Sequence, residues 1–108
     1  MSRPRNYILD EHDNPIPEPD LIQWAKWRNT ADVRIASDSI NGVTVSTVFL
    51  GLDHQWEGGP PLIYETMIFG GVHDEFQERY STRDEAIAGH AVAVAMVKSS
   101  LQKKEPTP

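Results

Sequence analysis

The chain has 108 residues, 39% hydrophobic and 24% charged, with 16 acids against 10 bases and a formal charge of −6; one domain of this size buries roughly two-thirds of the surface its unfolded form exposes and leaves no chain for a second core. The acidic balance argues against direct nucleic-acid binding, which rests on Lys and Arg displacing counterions, and favours a basic partner. Absence of cysteine excludes disulfides, thiolate zinc sites and cysteine nucleophiles, and with neither a signal-peptide pattern nor an apolar run of about 18 residues the expectation is a soluble, cytoplasmic protein without a membrane partner.

Residues 1–19 are rich in Pro, Asp, Asn and Glu, and "NPIPEPD" cannot continue a helix or supply a full set of amide donors. They read as an extended N-terminal arm ahead of a single α+β domain over 20–101. Asp20 is placed to cap a short helix, "LIQWAKWRN", with Leu21, Trp24 and Arg28 on one face and Trp24 and Trp27 one turn apart. Two tryptophans so close need a surface to cover: the sheet of the same chain in one reading, a partner in the other.

In "VRIASDSINGVTVSTVFLGL" the Asn41-Gly42 pair is a type I′ hairpin signal, because both central residues must take positive φ. A two-residue loop sets Ile40 opposite Val43, Asp38 opposite Val45, Ala36 opposite Thr47 and Arg34 opposite Phe49. The other face carries Ser39 with Thr44, Ser37 with Ser46, Ile35 with Val48 and Val33 with Leu50. The apolar face therefore changes sides along the ladder, which one regular hairpin cannot do. A bulge near Ser46-Thr47 would resolve this; cover on both sides of the far end, by the C-terminal helix and the Trp24/Trp27 segment, is the resolution favoured here.

"PLIYETMIFGG" follows as a third, antiparallel strand and "EFQERYS" as a charged edge strand. The last element, "STRDEAIAGHAVAVAMVKSSLQ", opens on a Thr82-x-x-Glu85 capping box and spans about 30 Å. Ile87, Ala91, Val94, Val97 and Leu101 form its expected core-facing stripe, and residues 102–108 are expected to fray. The whole is an antiparallel meander of three to four strands, with the long helix packed on one face and the short helix at its N-terminal end.

Few groups in this frame carry chemistry. Asp53-His54 leaves the second strand and His73-Asp74 leaves the third. With about eight residues per strand at roughly 3.3 Å each, the two pairs stand more than about 20 Å apart and cannot share an ion. Asp53, His54, Trp56 and Glu57 form either a solvated cap on the sheet or a site for a small molecule or metal, although their spacing fits no metal signature. Glu65 interrupts an apolar strand face, held by Arg79 or Arg34 or else left with a raised pKa. His90, between Ile87 and Val94, is a hydrogen-bonded core histidine unless Glu65 or another acid reaches it. Gly58-Gly59 runs into Pro60-Pro61, which lack the amides of a phosphate cradle, and no G-x-S-x-G occurs. No metal or cofactor is implied, and a non-catalytic role is the expectation.

"STVFLGLDH", "PPLIYETMIFGG" and "RYSTRDEAIAGH", in that order, resemble a family of small uncharacterised proteins encoded by tailed bacteriophages and prophages. The resemblance covers about two-thirds of the chain. It implies an accessory product acting in the host cytoplasm, and assigns no catalytic or cofactor residue. On that footing the leading expectation is a protein that binds a host or phage macromolecule, such as an inhibitor of a host defence or nucleic-acid enzyme. A ligand site in the 52–61 loop and a homo-oligomeric structural or virion component are the alternatives.

Overall fold

The computed structural model describes residues 5–102; the expected fraying at the C-terminus falls almost wholly outside them. In chain order the elements are β1 (Tyr7–Leu9), β2 (Pro15–Pro17), α1 (Leu21–Thr30), β3 (Arg34–Ile40), β4 (Val43–Phe49), β5 (Tyr64–Phe69), β6 (Gln77–Tyr80) and α2 (Arg83–Gln102). Strands β3 to β6 form an antiparallel meander in sequence order, with α2 packed across one face, so the fold is α+β.

The segment expected to be an extended arm is extended but doubled back. β1 and β2 pair antiparallel, Ile8 opposite Ile16, around a turn that Asp10 closes by accepting from the amides of His12 (2.8 Å) and Asn14 (2.9 Å). Prolines 15 and 17 are tolerated because β2 is an edge strand. This hairpin is tied to the body where β4 ends: the Tyr7 amide donates to the Gly51 carbonyl at 2.8 Å and the Asp53 amide to the Arg5 carbonyl at 2.8 Å. Gly51, at φ +74°, permits this approach, since a Cβ there would lie 3.1 Å from the Tyr7 carbonyl oxygen.

Asp20 caps α1, its carboxylate accepting from the amides of Ile22 (2.9 Å) and Gln23 (3.2 Å). Both tryptophans turn inward. The Trp24 indole donates to the carbonyls of Tyr7 (3.1 Å) and Gly51 (3.0 Å), and Trp27 meets Phe49 edge-on at 5.9 Å. α1 thus clamps the N-terminal hairpin to the sheet.

From Asn41-Gly42 the register runs as the turn dictates, Ile40 to Val43, Asp38 to Val45 and Ala36 to Thr47, and then shifts so that Arg34 faces Val48. The irregularity lies at Ile35 on β3, neither at Ser46-Thr47 nor replaced by cover on two sides. It lets β4 bury one face throughout, Val43, Val45, Thr47 and Phe49, with the residues between them half-exposed. Val33 and Ile35 are freed to join Phe49, Ile63, Tyr64 and Ala86 at one end of the core; Val43, Val45, Ile68, Ala93 and Val97 fill the other.

α2 follows the expected stripe in its C-terminal half, where Val97 is buried and Val94 and Leu101 are half-buried against the core. In its first half the inward positions fall one residue earlier than expected: Ala86 and His90 are buried, and Ile87 and Ala91 face solvent. Two contacts set this. The phenol end of Tyr80 packs against Gly89, where an added Cβ would collide with the phenol oxygen and Cζ. One residue on, His90 is drawn into the sheet by polar partners.

Candidate functional site

Those partners form a chain through the core. His90 Nε2 lies 2.7 Å from Asp38 Oδ2, and His90 Nδ1 lies 2.8 Å from Thr47 Oγ1. Thr47 and Thr66 share a hydroxyl hydrogen bond across β4 and β5. A carboxylate only accepts, so Nε2 carries a proton and donates to Asp38. An acid–imidazole–hydroxyl series of this order activates a nucleophile when the hydroxyl meets substrate. Here Thr47 and Thr66 are fully buried and His90 is 6% exposed, so the series fastens α2 to the sheet. The acid that reaches His90 is Asp38. Glu65 points to the opposite face, where Gln77 Nε2 (2.7 Å) and Arg79 Nε (3.0 Å) donate to its carboxylate. Asp38 carried a signal in the sequence, as an acid on the ladder face that holds Ile40 and Ala36.

Burial raises the Tyr80 phenol above the ordinary tyrosine range, against the Thr66 hydroxyl and with help from Glu78. Burial raises Tyr64 as well, against the charge of Arg83 and with help from Asp13. Folding therefore favours both phenols protonated. That contribution is intact below the unfolded tyrosine value of about 10 and is lost as pH rises from there through the folded values. Alkaline unfolding followed by circular dichroism should coincide with the late part of the tyrosinate absorbance change. Full tyrosinate absorbance from a chain still folded would contradict this.

The residues singled out between β4 and β5 have separate surroundings. Asp53, 1% exposed, organises the loop: its Oδ1 accepts from the amides of Gln55 (2.8 Å) and Leu62 (2.9 Å). The His54 amide donates to the Leu62 carbonyl at 3.0 Å, continuing the sheet past β4. Trp56 is 81% exposed, with the Arg5 guanidinium 5.3 Å from its ring centre, and Glu57 is exposed. Asp74 plays Asp53's part at the other end, accepting from the Gly70 amide at 2.7 Å. Among the described residues no group of three or more His, Asp or Glu side chains is arranged to hold a metal, and no helix is long and apolar enough to cross a membrane.

The surface that sequence reasoning missed is the outside of α2. Residues 86–97 contain no Asp, Glu, Lys or Arg, yet Ile87, Ala88, Ala91, Val92 and Ala95 face solvent, Val92 at 60%. At its C-terminal half this face runs into an open cleft of about 710 Å³, walled by Val92, Ala95, Met96 and Ser99 on one side and by Val72 and His73 on the other. Val72 is 63% exposed. The signal was the length of the uncharged run, too long for a helix with only one face against a sheet. Compared with protein-family models, with curated proteins and with solved structures, the chain gives no match in any of the three.

Proposed function

We propose that the chain is a non-catalytic binding protein that docks another protein on the outer face of α2 and the cleft beside Val72. The observation that carries this is the uncharged, solvent-facing run of α2, with two large aliphatic side chains in the open next to a concave wall. A contiguous apolar patch of this kind stabilises a complex by leaving water, and a helix against a groove supplies the geometry. The resemblance to phage-encoded proteins makes a host or phage protein in the bacterial cytoplasm the partner. The charge of −6 supports one with a basic rim, as on an enzyme that handles nucleic acid.

A second copy of the chain is the other occupant favoured by a specific feature. Asp84 and Lys98 stand at equal spacing on either side of Ala91. Two copies of α2 packed antiparallel about Ala91 would set each Asp84 against the partner's Lys98, in an isologous contact.

Val92→Glu puts a charge at the centre of the face without touching the core. It is expected to leave the unfolding midpoint unchanged and to weaken capture of the partner from bacterial lysate by at least about tenfold. Light scattering on the same pair of proteins separates the occupants: a concentration-dependent dimer lost in Val92→Glu identifies a second copy. A wild-type chain that stays monomeric and retains no protein at low or moderate salt would remove both readings.

A further inference from the structure

The other end of α2 meets the β1–β2 turn in a separate cleft of about 400 Å³. The first amides of a helix precede its first internal acceptor and need partners from elsewhere. The capping box satisfies some of them: the Glu85 amide donates to Thr82 Oγ1 at 3.1 Å, and the Glu85 carboxylate folds back to accept from the amides of Ser81 (3.2 Å) and Thr82 (3.1 Å). Arg83 and Asp84, which follow the cap, line the cleft at the positive end of a 20-residue helix.

Two side chains in the walls lack the partners their chemistry calls for. Tyr64 is fully buried with its ring edge-on to Phe49 at 5.3 Å, yet its hydroxyl has no hydrogen-bond partner among the described residues. Phenylalanine would fill the core equally well without leaving a polar atom dry. Arg83 is half-buried and forms no ion pair among the described residues. An orphan hydroxyl, an unpaired guanidinium and a helix N-terminus lining one cleft call for an oxyanion. Asp13 and Asp84, both exposed, also line it and limit its charge: a dianion would be repelled, whereas an anion bearing an ammonium group would set that group against them.

We infer that this cleft binds a small carboxylate monoanion, such as the α-carboxylate of a free amino acid, through the Arg83 guanidinium, the first α2 amides and the Tyr64 hydroxyl. The site lies apart from the outer face of α2 and does not depend on a macromolecular partner.

Titrating the full ¹⁵N-labelled chain with glycine, acetate and inorganic phosphate, followed by amide chemical shifts, tests it. Saturable shifts centred on Arg83 and Asp84 are expected with glycine and acetate, and weaker ones with phosphate. Arg83→Gln should weaken binding by about tenfold, the loss of one charge-assisted contact. Tyr64→Phe should weaken it several-fold while keeping the native spectrum and thermal midpoint, which separates lost recognition from lost folding. Shifts that grow linearly with every probe, or that survive Arg83→Gln, would overturn the site. Phosphate binding more tightly than acetate would overturn the carboxylate assignment.

Discussion

Gly89→Ala is expected to destabilise the fold by about 2 kcal/mol, against the sign that helix propensity gives. In a helix interior the change from glycine to alanine is worth up to about 1 kcal/mol in favour of alanine. At this position the new methyl would collide with Oη, Cζ and Cε1 of Tyr80. Two of these are ring carbons, so no small rotation relieves the overlap. Either the helix lifts from the sheet or Tyr80 swings outward. Overpacking of this kind costs about 1–3 kcal/mol, which outweighs the propensity gain. Chemical denaturation measures the difference. The decisive comparison is a double-mutant cycle: in a Tyr80→Ala background, Gly89→Ala should become neutral or stabilising, because the ring it collides with is gone. If the penalty is the same in both backgrounds, Tyr80 is not its source.

That contact also marks where the sequence stops being legible. The hairpin register follows from Asn41-Gly42 as far as Ala36, because turn geometry propagates along a ladder until something interrupts it. The change of side along the ladder announces an interruption but does not place it at Ile35: the bulge reconciles the side on which Ile35 and Val33 must lie with the face that β4 buries, and that face is chosen by α2. The N-terminal end of α2 was legible for the complementary reason, since the capping box is made by residues three apart. Which residues of its first half turn inward was not. Periodicity offers Ile87 and Ala91 as readily as Ala86 and His90, and the choice falls to Tyr80 on Gly89 and Asp38 on His90, contacts between residues far apart in the chain. Asp53 and Asp74 show the same limit at the candidate sites. An Asp-His pair in sequence looks like a ligand pair, and the sequence does not show that each aspartate accepts from amides of its own loop. The cleft beside Val72 joins the β5–β6 connection to the last turns of α2, two segments that are adjacent only once the helix has crossed the sheet.

The burial of His90 sets what the polar chain through the core is worth. His90→Ala is expected to lower stability by about 3 kcal/mol, roughly 15 °C in Tm for a domain of this size. The change removes the bond to Asp38, leaves Thr47 with only Thr66 as a side-chain partner, and opens a void between α2 and β4 where the imidazole sat at 6% exposure. Most of the loss should come from the void and the Thr47 bond. The Asp38 side chain is 55% exposed, so water screens its attraction and can take the imidazole's place once the histidine is gone. Asp38→Asn, which keeps an acceptor for Nε2, should therefore cost only about 1 kcal/mol, and combining it with His90→Ala should add little to the histidine change alone. Thermal and denaturant unfolding of the three variants decides the matter. A His90→Ala protein within about 1 kcal/mol of wild type would mean that α2 is held by Ala86, Ala93 and Val97 without its polar fastening. Fully additive losses would mean that Asp38 and His90 act separately in spite of the 2.7 Å between them.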